Sequence, residues 1–419
     1  MRVLHFAWEF SRLTETFIYD VVQETSTRAE VMVAARRRLN AAARPFEPFA
    51  LVSPRGGPVG KLRDWVGSWF SPDPTLITTW VGVRRELAAV ARSFRPDVIH
   101  AQYGDVGVVA APVARQLGIP LVTTFHGYDA SEQLQDARRR RWFPALTRGR
   151  NRVIVVAAAL RRGLEDAGLD GARISVIPNG KDLSAYPFRE RDRPPVRFVT
   201  VGRIVDKKGH LDALAALARL AAEGHPVELD IVGDGPLEPL VRARIAELGL
   251  DGRVRLTGAL EHSAARAQME ASDAFLLCSR TAENGDREGL PMVLLEAQAL
   301  GLPCVSTRHA GIPEGIPAEN HFLLAEERDV DGIAAAIRRL RTASPEEIAA
   351  VSRRGLHHVR ARHSLRAQGD ALMDVYRAAI AGEGAGGGAS GPAGRTRGAQ
   401  PAEADGSAAP GPGFSTTRK

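Results

Sequence analysis

Short runs of branched and aromatic apolar residues recur along this chain, each followed by a polar or glycine-bearing turn and then by a stretch with helical periodicity. Such runs lie at Arg2–Phe6, Glu30–Ala34, Val98–Ala101, Leu121–Phe125, Arg152–Val156 and Ile174–Ile177. They resume at Arg197–Val201, Glu228–Val232, Arg253–Thr257, Ala274–Cys278 and Pro303–Ser306, separated by helical stretches such as His210–Glu223 and Leu237–Leu248. Alternation of this kind implies parallel sheets, because parallel neighbours need a crossover of a dozen or more residues, usually a helix. A chain of 419 residues also exceeds what one hydrophobic core serves. The sequence therefore predicts an α/β fold of two doubly wound parallel-sheet domains, residues 1–193 and 194–363. They join at the Pro-rich, charged segment FRERDRPPVRF, 188–198.

Residues 364–381 form a further helical stretch with length to spare, expected to return to the first domain. From Gly382 the chain is dominated by Gly, Ala, Pro and Ser, too poor in large apolar residues to offset the entropy of ordering. Residues 382–419 are read as a disordered tail.

With 44% apolar and 25% charged residues, the composition matches ordinary globular proteins and excludes fibrous and wholly disordered classes. The opening MRVLHFAWEF lacks the apolar core and cleavage site of a signal peptide. The longest apolar run, Val153–Leu160, is far short of the roughly 18 residues that span a bilayer. A cytoplasmic protein is expected. Cys278 and Cys304 sit in strand-like runs, read as buried thiols, and without C-x-x-C spacing no metal site is expected.

The formal net charge is +7, and residues 1–190 hold 27 Lys+Arg against 19 Asp+Glu while the remainder is nearly balanced. A basic first half suits an anionic partner, whether nucleic acid, a phosphorylated substrate or a membrane surface. The run Arg138–Arg141 with Arg148, Arg150 and Arg152 raises nucleic acid, but no nucleic-acid-binding motif accompanies it, and none is expected as a partner. Between Lys61 and Val83 lie Trp65, Trp69, Phe70 and Trp80 beside basic residues. That segment either packs on its own sheet or lies against an anionic membrane.

The most informative segment is NGDREGLPMVLLEAQALG, 284–301. A polar loop after a strand becomes an apolar helix at Pro291, so backbone N–H groups and a positive helix end face the C-terminal edge of the sheet, where anions bind in open α/β folds. Gly289 allows a phosphate to approach closely. Taken alone, Glu288 reads either as a ligand contact or as a partner of the helix dipole, and Glu296 either as a hydroxyl clamp or as a solvated helix residue. The segment VGRIVDKKG, 201–209, sets Arg203 and Lys208 at another strand end, as surface charge or as cations that together neutralise a diphosphate. GDGP, 233–236, places Gly233 and Asp234 on a third loop. In the first half TTFHGYD sets His126 after a strand, and HAQYG, 100–104, and SRLTETF, 11–17, end two others. The loops of the two halves are expected to face each other across a cleft.

RPDVIHAQYG, TTFHGYD, VIPNGKDL, GRIVDKKG and NGDREGLPMVLLEAQALGLPCVSTRHAGIPE, in this order, resemble the retaining glycosyltransferases of family 4, especially bacterial enzymes of exopolysaccharide and colanic-acid-type assembly. The resemblance spans residues 1–381 and implies the GT-B fold, two facing Rossmann-like domains. It implies a hexose moved from a nucleoside diphosphate sugar to a saccharide acceptor, free or lipid-linked, with no cofactor or metal. By it Glu288 opens an E-x7-E motif and contacts the donor sugar, and Glu296 holds the ribose. Arg203 and Lys208 grip the diphosphate with the N–H groups of Gly289 and Leu290. His126 lies beside the anomeric centre, and Gly233 and Asp234 line the nucleotide pocket. Where the family often has a Gly-Gly pair, this chain has Thr14, Glu15 and Thr16, and Ala157 and Ala158 stand where relatives place a polar residue; no role is carried onto these positions. An epimerase or phosphorylase of the same fold is the competing reading.

Overall fold

The computed structural model describes residues 1–12, 15–53 and 78–382, without the side chains of Thr78, Thr79 and Arg138. The tail reading, Thr14, and the aromatic residues Trp65, Trp69 and Phe70 lie outside the described residues.

Two separate parallel sheets carry the fold. The first holds β1 (Arg2–Phe10), β2 (Glu30–Arg38), β3 (Phe49–Leu51), β4 (Val98–Gln102), β5 (Leu121–Phe125), β6 (Arg152–Val155) and β7 (Ile174–Val176), in the order β3-β2-β1-β4-β5-β6-β7. The second holds β8 (Arg197–Val201), β9 (Glu228–Val232), β10 (Val254–Gly258), β11 (Ala274–Leu277), β12 (Cys304–Thr307) and β13 (Leu324–Ala325), in the order β10-β9-β8-β11-β12-β13. The strand pairs are parallel throughout. In each sheet the order reverses beside its first strand, between β1 and β4 and between β8 and β11. That reversal opens a crevice at the C-terminal edge, where open α/β sheets bind ligands.

Burial on both faces leaves central strands such as β5 and β11 without an exposed position, and β11 is continuously apolar. The longer helices are α1 (Thr16–Ser26), α2 (Thr78–Phe94), α3 (Gly104–Leu117), α4 (His210–Ala222), α5 (Glu238–Glu247), α6 (His262–Glu270), α7 (Met292–Ala299), α8 (Val330–Arg341), α9 (Pro345–Arg362) and α10 (Leu365–Ala381). α2 and α3 close one face of the first sheet, while α1 and α10 close the other. The second sheet is covered by α4, α5 and α8 on one face and by α6 and α7 on the other.

β1 and β2 run past their apolar runs to Phe10 and Arg38, because backbone pairing such as Glu9↔Arg37 continues where side chains turn polar. β3 and β13, only three and two residues long, are edge strands without a periodic signal. A capping box at Ser344 and Glu347 starts α9, and Ser364 caps α10, which ends at Gly382 in the left-handed conformation. α10 packs on α1, far back along the chain. Cys278 and Cys304 are free and buried, and burial pushes both thiols up. Among the described residues no helix is long and apolar enough to cross a membrane.

Candidate active site

The first sheet contributes His126, set directly after β5. Its loop is built on Asp129, a buried carboxylate that accepts the N–H groups of Gly104 at 2.9 Å, His126 at 2.8 Å and Gly127 at 3.1 Å. Burial pushes the Asp129 carboxyl up to about 7, against the pull of those three donors. The His126 ring lies between Phe17 and Tyr103, with centroids 4.6 and 4.8 Å away. Burial lowers the ring to about 3, so it is neutral at pH 7.

A chain of hydrogen bonds fixes which nitrogen carries the proton. His126 Nε2 lies 3.0 Å from Gln102 Oε1, an oxygen that can only accept, so Nε2 donates. The Gln102 amide reaches back to His100 Nε2 at 3.4 Å, where Thr124 Oγ1 also lies at 2.7 Å. With Nε2 accepting, His100 donates from Nδ1 to the Tyr376 hydroxyl of α10 at 2.6 Å. The remaining atom, His126 Nδ1, is a buried lone pair with no partner among the described residues.

On the second sheet, the turn after β8 holds Arg203, Lys207 and Lys208. Arg280 ties this turn to the loop after β11: its side chain pairs with Asp206 and Asp212, and its N–H donates to the Lys207 carbonyl at 2.9 Å. Lys208 Nζ then sits 2.9 Å from Glu288 Oε1, both side chains nearly buried, as an ion pair off the hydrogen-bond direction. Lys207 pairs with Asp286 at 2.9 Å. Burial would raise the Glu288 carboxyl, but Lys208 and Lys207 outweigh it and hold the group down at about 2. The Glu288 N–H donates to His309 Nε2 at 3.0 Å, which leaves the His309 proton on Nδ1, 2.6 Å from Glu327. Burial lowers His309, in keeping with a neutral ring, despite the pull of Glu327.

The N–H groups of Gly289 and Leu290, just ahead of α7, make no hydrogen bond among the described residues. Arg203 is exposed, and its guanidinium likewise has no hydrogen-bond or ion-pair partner among them. Gly233, at φ +141°, lies against the turn after β8 so closely that a Cβ there would fall 2.0 Å from the Gly202 carbonyl oxygen. Asp234 beside it is exposed, its carbonyl accepting from Ile204 at 2.7 Å.

The two halves meet at these loops. A Cβ on Gly289 would fall 2.0 Å from the His126 carbonyl oxygen, and one on Gly127 would fall 2.6 Å from the Gly289 nitrogen. Glycine at both positions lets the backbones touch. Across the same seam the Arg287 N–H donates to Ser131 at 3.1 Å, and Asn284 donates to Glu132 at 3.0 Å. Ala158 and Ala159 donate their N–H groups to the Glu314 carboxylate at 2.7 and 2.9 Å, so this segment acts through its backbone.

His126, Lys208, Glu288 and Gly289 are thus gathered at one seam, with Arg203, Gly233 and Asp234 on the adjoining edge of the second sheet. Leu290 is buried in a small apolar cluster with Leu295 and Val359. Glu296 stands apart. It is not a solvated helix residue: its carboxylate is 7% exposed and pairs with Lys181 at 3.2 Å, and Lys181 also reaches Asp20 of α1 at 3.5 Å. Sequence reasoning passed over Gln102, Lys207, Arg280, His309, Glu327 and Lys181. Gln102 and Lys207 lie inside the motifs already singled out. Lys181 and His309 lie inside quoted motifs too, VIPNGKDL and the long segment from Asn284 to Glu314, whereas Arg280 and Glu327 come into place only through strand order.

Profiles of two families match the chain: Glycosyltransferase Family 4 over residues 5–185 and Glycosyl transferases group 1 over residues 195–343. The chain is 32% identical over 275 residues to WcaL of Escherichia coli, a protein named for glycosyl transfer in colanic acid biosynthesis, covering 64% of this chain and 68% of that one. It is 32% identical over 259 residues to the amylovoran biosynthesis glycosyltransferase AmsK of Erwinia amylovora, covering 61% of this chain and 63% of AmsK. Anabaena Alr3699/HepE, solved in complex with UDP, has the same fold, with a TM-score of 0.72 at 18% identity over 90% of this chain and all of that one. With both halves matched in order and the strand orders of two facing Rossmann-like sheets, this chain belongs to the family 4 glycosyltransferases of the GT-B fold.

Proposed function

We propose that this chain moves a hexose from a nucleoside diphosphate sugar to a hydroxyl of a saccharide, with the anomeric configuration retained. The observation that carries the reading is the seam where Lys208, ionised Glu288 and the unpaired N–H groups of Gly289 and Leu290 meet His126. Lys208, exposed Arg203, those N–H groups and the positive end of α7 make an anion site suited to a departing diphosphate. No metal is then required for that charge. Glu288, kept as a carboxylate, accepts hydroxyls of the donor sugar, and the His126 Nδ1 lone pair accepts another. Glu296 grips the ribose hydroxyls by sharing its carboxylate with Lys181, while Gly233 and Asp234 line the nucleotide side.

In the transfer step the bond from the anomeric carbon to the diphosphate oxygen breaks and the acceptor oxygen bonds to that carbon on the same face. The acceptor proton passes to the leaving phosphate oxygen. His126 is neutral and its donor nitrogen is already engaged by Gln102, so it holds the sugar rather than moving the proton.

We carry the reading to polysaccharide assembly at the cytoplasmic face of a membrane, with a free or lipid-linked saccharide as acceptor, because WcaL and AmsK are named for colanic acid and amylovoran biosynthesis. The test is proton NMR of the product formed from a nucleotide sugar of known anomeric configuration, with and without a chelator. The expected product keeps the donor's configuration at an unchanged rate. An inverted product, or a rate abolished by the chelator, overturns the mechanism.

A further inference from the structure

The edge of the first sheet opposite the candidate active site holds a cavity of about 540 Å³, within the size range of small-molecule sites. One wall is a single face of α3: Val108, Ala111, Pro112 and Arg115, spaced at 108, 111, 112 and 115, follow the helical repeat. The other wall is the segment before β6, with Trp142, Ala145, Arg148 and Arg150, and Gly118 to Pro120 form the end. Trp142 is held edge-on by Trp80 at 5.4 Å.

The floor is apolar and the rim is cationic. Arg84, Arg115, Arg141, Arg148 and Arg150 line the cavity, and among the described residues no Asp or Glu does. Arg115, Arg141 and Arg148 are exposed, and their guanidinium groups have no hydrogen-bond or ion-pair partner among the described residues. Arg150 spends its guanidinium on the carbonyls of Gly118 and Ile380, and no carboxylate among the described residues pairs with it. Arg141, Arg148 and Arg150 of the arginine run noted in the sequence therefore gather around an apolar hollow.

We infer that this cavity takes an anionic lipid of a membrane surface, its acyl portion against the α3 wall and Trp142 and its phosphate among the arginines. Charge complementarity and the apolar floor choose this occupant together: a nucleic acid has no use for the floor, and a neutral lipid has none for the rim. Neither remaining segment of the chain carries a net negative charge. Residues 54–77 carry three basic and two acidic side chains, and residues 383–419 carry four basic and three acidic ones. The inference is independent of the transfer reaction and places the lipid away from the cleft.

The test titrates the full chain with dihexanoylphosphatidic acid below its micelle concentration, dihexanoylphosphatidylcholine, inorganic phosphate and a random oligonucleotide. It compares wild type with R141E/R148E and with A111W, which fills the floor and keeps every arginine. Phosphatidic acid is expected to bind wild type roughly tenfold or more tighter than phosphatidylcholine or phosphate, and both variants to lose that advantage. Cosedimentation with vesicles of phosphatidylcholine plus phosphatidylglycerol should fall in the same variants. Melting temperature and glycosyl transfer are followed in parallel, and R141E/R148E, altered only at exposed positions, decides the matter if A111W does not fold. Equal binding of phosphate and phosphatidic acid overturns the inference, as does phosphatidic acid binding that neither variant changes. Preferential binding of the oligonucleotide overturns it as well.

Discussion

Glu288 sets the charge of the cleft through two cations on one side and a neutral histidine on the other. Its carboxyl is held at about 2, below the ordinary glutamate value near 4.5. A depressed carboxylate contributes stability that is whole above the unfolded pKa and is lost as pH falls through the folded one. That window runs from about pH 4.5 to about pH 2, and the contribution at neutral pH is on the order of 3 kcal/mol. Glu288→Gln should therefore lower the melting temperature at pH 7 and flatten its fall between pH 5 and pH 3. Parallel melting curves for variant and wild type across that range would contradict the assignment. Glu288 and Lys208 could be picked out from sequence because each follows a strand-like run in a polar loop. Their pairing, and the His309–Glu327 support beneath Glu288, could not, since no local pattern shows that β8 and β12 both flank β11.

The element with the least visible role is α10. Its Tyr376 sits behind His100, and His100 sits behind Gln102, so a helix more than 200 residues away in sequence reaches the ring of His126. Gln102→Leu removes the acceptor that keeps the His126 proton on Nε2. Turnover should fall about tenfold, with a mixture of imidazole tautomers visible by nitrogen NMR and little change in melting temperature. A single Nε2–H tautomer with undiminished turnover would show that Gln102 is packing only. Most strands were legible as apolar runs, because strands buried on both faces carry few polar positions to blur them. β3 and β13 were not, because edge strands of two or three residues carry no period. Gln102 was hidden for the opposite reason: it ends a strand whose every residue is buried, where a polar side chain gives no sign of what it faces.

At the scale of the molecule, two sheets of the same winding turn their C-terminal edges toward one seam, where Gly127 and Gly289 let the backbones touch. The sequence rhythm predicts the two sheets and a cleft between the loops of the two halves. The closeness of the seam follows from two glycines, of which Gly289 reads in sequence as room for a phosphate and Gly127 only as a loop residue until their neighbours are known. On the proposed function, such a seam excludes water while a donor is held, which protects a reactive sugar nucleotide from hydrolysis. The account stands on Lys208 acting on a diphosphate there. Titration of wild type and Lys208→Ala with UDP-, GDP- and ADP-sugars, alongside kcat and KM for the donor that binds, tests it most directly. One nucleotide class should bind wild type, and the variant should lose on the order of a hundredfold in kcat with a much smaller change in KM, because the diphosphate gains charge as the glycosidic bond breaks. A wild-type chain that binds no nucleotide sugar, or a variant that turns over as fast as wild type, would contradict it.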